Sequence, residues 1–205
     1  MLTKLKREDC LLNYPKFPRR EYNPSTDDYD FQYPEIYAGY VLTVSSKSYT
    51  GHIKLLGNEI ANLAKTLNLD SLIFSGDEKT PWLYRNSEYP PAKKGLHYLV
   101  ENKIGKRFNG ALIATTDDLP QFIKHLCWLT RSNTILPYVY FSDKGQNFMG
   151  HICQYGNLHL DAMNAKTDQL LKKIIKKSRF ENLKDKRCYF KYSGSGAIKG
   201  RTLIV

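Results

Sequence analysis

The chain has 205 residues, 41% of them apolar, and a net charge of +11 from 31 Lys or Arg against 20 Asp or Glu. That length suits one well-packed domain with an appendage, and that apolar content excludes a chain disordered throughout. No run of about 18 apolar residues occurs, so no membrane helix is expected; the opening MLTKLKREDCLLNY carries charge but no apolar stretch, so no signal peptide is expected and the expected compartment is the cytoplasm.

Residues 1–35 are rich in Pro, Tyr and charge without a period, and read as an irregular N-terminal arm. Tyr37–Ser45 (YAGYVLTVS) alternates and is β-branched enough for a strand. In His52–Asn68 the apolar residues Ile53, Leu56, Ile60, Leu63, Ala64 and Leu67 fall at helical spacing. Ser71–Ser75 reads as a short buried strand, Gly76–Pro91 as a loop and Ala92–Lys103 as a short helix. Gly110–Thr115 (GALIAT) is a strand that runs through an N-cap in TTDD into a helix over Leu119–Leu129, with Pro120 in its first turn. Ile135–Phe141 and Phe148–Gln154 read as strands joined by the turn Asp143–Gln146, and Asn157–Leu160 extends that sheet. Two strand–helix–strand halves in this order predict an α+β, ferredoxin-like split βαβ sheet over 36–162, followed by a basic helix-plus-strand extension over 163–205.

The extension carries most of the charge. Asp161–Val205 holds twelve Lys or Arg against four acids, a net +8 of the chain's +11. Within Gln169–Phe180 (QLLKKIIKKSRF), at about 100° per residue, Leu170, Leu171, Ile174 and Ile175 share one side of a helix and Lys172, Lys173, Lys176 and Lys177 the other. Four ammonium groups on one face repel one another unless an anion sits there, and a phosphate backbone is the anion a soluble protein meets most often. A solvated face that only keeps the chain soluble is the plain alternative. The composition, with 15 Tyr, 9 Phe and 2 Trp, suits RNA or single strands, whose unstacked bases lie on rings, although strand positions also take Tyr.

Candidates for chemistry are few. Cys10, Cys127, Cys153 and Cys188 are scattered without a CxxC and read as free thiols. Of two His-x-Cys pairs, His151/Cys153 on a strand shares one face and could meet zinc, whereas His125/Cys127 on a helix points apart; ordinary packing is the expected role, with no metal and no cofactor. Asp117-Asp118 reads as helix capping and Asp77-Glu78-Lys79 as a polar turn. His52 opens a helix with Tyr49 and Lys54 nearby, a base and a cation of the kind that metal-free attack by a 2′-hydroxyl needs.

Two resemblances bear on function. Gly39-Tyr40-Val41 followed by Tyr49-Thr50-Gly51 resembles the paired triplets of GIY-YIG nucleases, in which a Tyr activates water and a helix Arg and a Glu serve phosphate and metal; here the helix offers Lys54 and Glu59 but no Arg, and that reading would require a divalent metal. The halves Tyr37–Asp77 and Gly105–Leu129, with the hairpin Leu136–Ala162, resemble the CRISPR repeat-processing endoribonucleases, especially the type I-F kind. That resemblance implies binding of a repeat hairpin, alone or within a larger ribonucleoprotein complex, and metal-independent cleavage to a 2′,3′-cyclic phosphate. It carries Ser142 over as the serine that orients the reacting nucleotide and Phe148 as the aromatic at the cleavage site. The family's helix His falls near Ile60 here, so either His52 substitutes or the protein binds RNA without cutting it.

The expected function is therefore recognition of structured RNA with endoribonuclease activity, with His52, Ser142 and Tyr49 catalytic and with Lys172, Lys173, Lys176, Lys177, Arg179 and Phe148 binding RNA. Neutralising about five phosphates would give log K a slope near −3 to −5 against log salt. A non-enzymatic interaction protein, such as an immunity or inhibitor protein for an acidic partner, would need the same basic face but no ordered chemistry at His52 or Ser142.

Overall fold

The computed structural model describes residues 1–77, 79–131, 135–136, 139–183 and 188. In chain order its elements are β1 (Thr3–Leu5), α1 (Arg7–Asn13), β2 (Arg19–Asn23), β3 (Asp28–Gln32), β4 (Ala38–Thr43), α2 (Tyr49–Thr66), β5 (Ser71–Ser75), α3 (Pro90–Glu101), β6 (Ala111–Thr115), α4 (Leu119–Arg131), β7 (Tyr140–Ser142), β8 (Phe148–Ile152), β9 (Leu158–Ala162), α5 (Ala165–Lys177) and β10 (Glu181–Asn182). Two helix starts are set by side-chain caps. Ser48 accepts from the Gly51 N–H at the head of α2, and Asn164 accepts from the Thr167 N–H at the head of α5.

Eight strands form one sheet in the order β1-β6-β5-β7-β8-β9-β4-β10, and every neighbouring pair in it is antiparallel. The fold is thus α+β. Since β6 and β7 both run antiparallel to β5, they are parallel to each other, and α4 joins them as a split βαβ unit; α5 joins β9 to β10 around β4 in the same way. The ferredoxin-like order expected from the sequence is not the order of this sheet. Such a sheet would set the first strand of each half side by side at its antiparallel centre, whereas α2 carries the chain from β4 across the positions of β9, β8 and β7 to β5. Long-range pairing, which no local pattern encodes, made that choice.

Helices α2, α4 and α3 cover one face of the sheet. Gly57 of α2 permits close approach to α4, because a Cβ there would lie 2.9 Å from the Pro120 carbonyl oxygen. Leu171 and Phe180, with Ile174 and Ile175, join α5 and its exit to the same core. The segment expected to be an irregular arm is ordered instead. Leu2 is buried, β1 pairs with β6, and Cys10 and Phe17 pack on Ile73, Ala111 and Met149 of the opposite sheet face, while β2 and β3 form a separate hairpin. Three-residue strands and a seven-residue helix carry too little periodicity to be read without the sheet that completes them. The strand expected around Cys188–Tyr192 lies outside the described residues, apart from Cys188 itself. Among the described residues, no helix is long and apolar enough to cross a membrane.

Candidate functional site

The residues expected to be catalytic are inside the protein. His52 has no exposed surface; its Nδ1 lies 2.9 Å from the Val44 carbonyl oxygen and its Nε2 lies 2.8 Å from that of Gly156. The tautomer decides which nitrogen donates. Gly156 holds the turn after β8 at φ +79°, a conformation that favours glycine, and brings its carbonyl to the ring. The buried Tyr49 donates its hydroxyl to the Cys127 carbonyl at 3.0 Å, and its ring lies 6.3 Å from that of His52. The buried Ser142 donates to the Phe148 carbonyl at 2.5 Å. All three polar groups bond main-chain carbonyls, which is the work buried polar groups ordinarily do. These positions correct the sequence expectation: Tyr49 and His52 meet at the head of α2, Ser142 sits between β7 and β8, and the three do not present a cleavage site to a substrate.

Phe148 is also corrected. It is 1% exposed, in the core with its ring 6.4 Å from that of Phe141, and cannot offer a face to a base. Nor does the triplet resemblance find an open tyrosine. Tyr40 donates to Asp168, and burial first, then that hydrogen bond, pushes its phenol up to about 12. The Glu59 carboxylate is buried and accepts the main-chain N–H of Arg179 at 3.2 Å.

The expected cationic face is present on α5, a helix that begins at Ala165, four residues before the stretch read as amphipathic. α5 buries Thr167, Asp168 and Leu171, half-buries Ile174 and Ile175, and exposes Lys172, Lys173, Lys176 and Lys177; Arg179, just beyond it, is also exposed. Lys172 is committed internally, 2.7 Å from Asp168 one turn back. Among the described residues, no ion pair joins Lys173, Lys176, Lys177 or Arg179 to an acid. A groove of about 620 Å³ runs between α2 and α5; Lys173, Lys177 and Arg179 line it together with Leu63, Leu67 and Glu59. Of the twelve cations counted in the extension, Lys184, Lys186, Arg187, Lys191, Lys199 and Arg201 lie outside the described residues.

Two features were missed in the sequence. The β2–β3 hairpin exposes Tyr22 and Phe31, with Arg20 stacked 4.6 Å over the Tyr29 ring and Lys79 4.4 Å over the same ring. The alternation of YNPSTDDYDF is broken by its turn, and Lys79 arrives from a distant loop. The second feature is a thiol–imidazole cluster. Cys153, at the end of β8, His159 of β9 and Cys188 place their ligand atoms within 4.8 Å of one another. The Cys153 thiol lies 3.8 Å from the Cys188 sulfur, and His159 Nε2 lies 3.0 Å from it. The hydrogen bond between the thiols, ahead of burial, raises Cys153; the same bond, with others from His159 and Asn157, lowers Cys188. The sequence pairs Cys153 with His151, yet His151 stacks on His159 across the ladder at 4.3 Å, and His159 is the one that meets the thiols. On α4, His125 and Cys127 do point apart, one stacked on Tyr98 and the other fully buried.

The acidic pairs serve structure. Asp118 takes the Phe122 N–H on its main-chain oxygen and the Thr115 hydroxyl on its carboxylate, and Asp77 pairs with Arg20 at 3.1 Å. Comparison with protein-family models, with curated proteins and with solved structures finds no match to this chain.

Proposed function

We propose that this chain is a cytoplasmic RNA-binding protein that grips the phosphate backbone of a structured RNA across the outward face of α5 and the α2–α5 groove. The observation that carries the reading is the set of exposed cations, Lys173, Lys176, Lys177 and Arg179, on one side of one helix and its exit, none of them paired with an acid among the described residues. Lysines are point charges without the planar fork of arginine, so their contacts favour backbone over base edges. The β2–β3 hairpin supports the same reading, because exposed rings interleaved with cations are the surface on which unpaired bases stack. The reading keeps the binding that the CRISPR endoribonuclease resemblance implies, and it leaves cleavage without His52, Tyr49 or Ser142 as its agents. Binding of a repeat hairpin within a larger ribonucleoprotein complex is the form of it that the resemblance favours.

The test is fluorescence anisotropy of a labelled RNA hairpin across a salt series. With Lys172 held by Asp168 and four cations left, log K falls against log salt with a slope of about −3 to −4. The variant Lys173→Gln, Lys176→Gln, Lys177→Gln reduces that slope by about one for each lysine removed. A flat salt response, or an affinity unchanged in the variant, overturns the reading. Capture of a protein that survives nuclease treatment would put an acidic protein partner in its place.

A further inference from the structure

Side chains alternate along β8 and β9. Phe148, Ile152, Leu158 and Leu160 belong to the core under the helices, and Met149 belongs to the cluster on the opposite face. By that alternation, His151, Cys153 and His159 point away from α5 and its groove. They lie past the part of that face that the N-terminal segment covers around Ile73 and Ala111. Here the chain returns, and Cys188 arrives 35 residues after Cys153. The turn that presents Cys153 is fixed twice. The Cys153 N–H donates to the Asn157 carbonyl at 3.0 Å and the Gly156 N–H donates to the Cys153 carbonyl at 2.8 Å, while Gly156 is held in turn by His52.

We propose that Cys153, His159 and Cys188 are the protein ligands of a zinc-class cation. The two sulfurs stand at the spacing of a tetrahedral site, with the imidazole near a third position and a fourth left over. Two Zn–S bonds of about 2.3 Å at the tetrahedral angle set their sulfurs about 3.8 Å apart. The two sulfurs here are 3.8 Å apart. A disulfide would need about 2.05 Å, so the pair is not a cystine, and two thiols in hydrogen-bonding contact stand at the spacing a chelate needs. A Zn–N bond of about 2.1 Å would set the imidazole nitrogen about 3.5 Å from each sulfur. His159 Nε2 is 3.0 Å from Cys188 Sγ, so the ring has to withdraw by about half an ångström to admit the ion.

Two thiolates and an imidazole form a soft set that suits zinc and disfavours magnesium or calcium, which take oxygen. Binding releases the thiol protons to solvent, and the fourth position takes water or a further donor. The ion would pin Cys188 to the sheet.

The test is the zinc content of the full chain, purified with reductant and dialysed, with a Co²⁺ titration of the metal-free protein in parallel. About one zinc per chain is expected, together with a Co²⁺ spectrum that shows thiolate charge-transfer bands and the intense visible bands of a tetrahedral site. Cys188→Ser and Cys153→Ser abolish both signals, and His159→Gln weakens them; Cys10→Ser, which lies against Phe17 in another cluster, leaves them intact. Zinc also raises the melting temperature of the parent chain and not that of Cys188→Ser. If Cys153→Ser fails to fold, Cys188→Ser decides alone, since Cys188 lies outside the strands. Zinc well below one equivalent in the reduced parent, a Co²⁺ spectrum without thiolate bands, or zinc content unchanged in Cys188→Ser each overturns the proposal.

Discussion

Helices α2 and α5 border the same groove, and both look amphipathic in sequence, yet they do opposite things with their polar side chains. Of the 18 residues of α2, ten are buried, among them Tyr49, His52 and Glu59; of the 13 in α5, only Thr167, Asp168 and Leu171 are. The difference is depth. α2 lies against α4 on one side and the sheet below, so a polar atom on it has to find a partner within the protein, and each of these does. α5 lies at the flank, over β9 and β4, and its lysines reach water. A histidine that sequence alone offers as a base is thus a structural bolt on one helix, whereas lysines that could have been mere solubility aids are the accessible charge on the other.

Substitution should expose that contrast most sharply in the core. Phe148→Ala lowers stability by about 3–5 kcal/mol in chemical denaturation, as deletion of a buried ring does. An unchanged denaturation midpoint with lost RNA affinity would move Phe148 out of the core role. His52→Ala removes the ring that contacts the Val44 and Gly156 carbonyls, leaves the one it donates to without a partner, and opens a cavity, at about 2–4 kcal/mol. The folded variant keeps its RNA affinity, and a specific loss of cleavage in a stable His52→Ala would restore the catalytic reading. The triple Gln variant of Lys173, Lys176 and Lys177 does the reverse: stability stays within about 0.5 kcal/mol while binding weakens.

The last effect, absent at neutral pH, concerns His125 on α4. Burial first, then Lys124, lowers its pKa from 6.5 to about 4, against the opposite pull of Glu101. Between those values the unfolded chain binds a proton that the folded chain refuses, so stability is full above pH 6.5 and declines as pH falls toward 4. His125→Phe flattens the melting temperature against pH over that window, and an unchanged profile would assign the acid sensitivity elsewhere.

The helices and central strands were legible because their apolar residues repeat over enough turns or alternations to declare a face. Ile53 to Leu67 marked α2, and Leu119 to Leu129 marked α4, each to within a few residues of the observed ends. The sheet order was not legible, since the partner of β4 is β9, more than a hundred residues on, and nothing in either segment names the other. The cationic face was legible because charge and helical period coincide in one stretch. The thiol–imidazole cluster was not: cross-strand pairing selects His159 over the nearer His151, and Cys188 comes from outside the hairpin. Burial was the property read least well. His52 and Ser142 carry chemistry in their side chains, and only the packing around them shows that main-chain carbonyls have claimed it.

The two ends of the large sheet have a consequence for how copies of this protein meet. An open antiparallel sheet leaves rows of unpaired donors and acceptors along its outer strands, and a long flat border invites another chain to add itself there. Here the outermost strands among the described residues are β1, three residues with Lys4 at the centre, and β10, two residues with Glu181 bonded to the Ser45 hydroxyl. Borders that short and that charged, among the described residues, give a neighbouring copy little register to lock into, so at these two strands an eight-stranded sheet can be crowded against its own kind without templating aggregation.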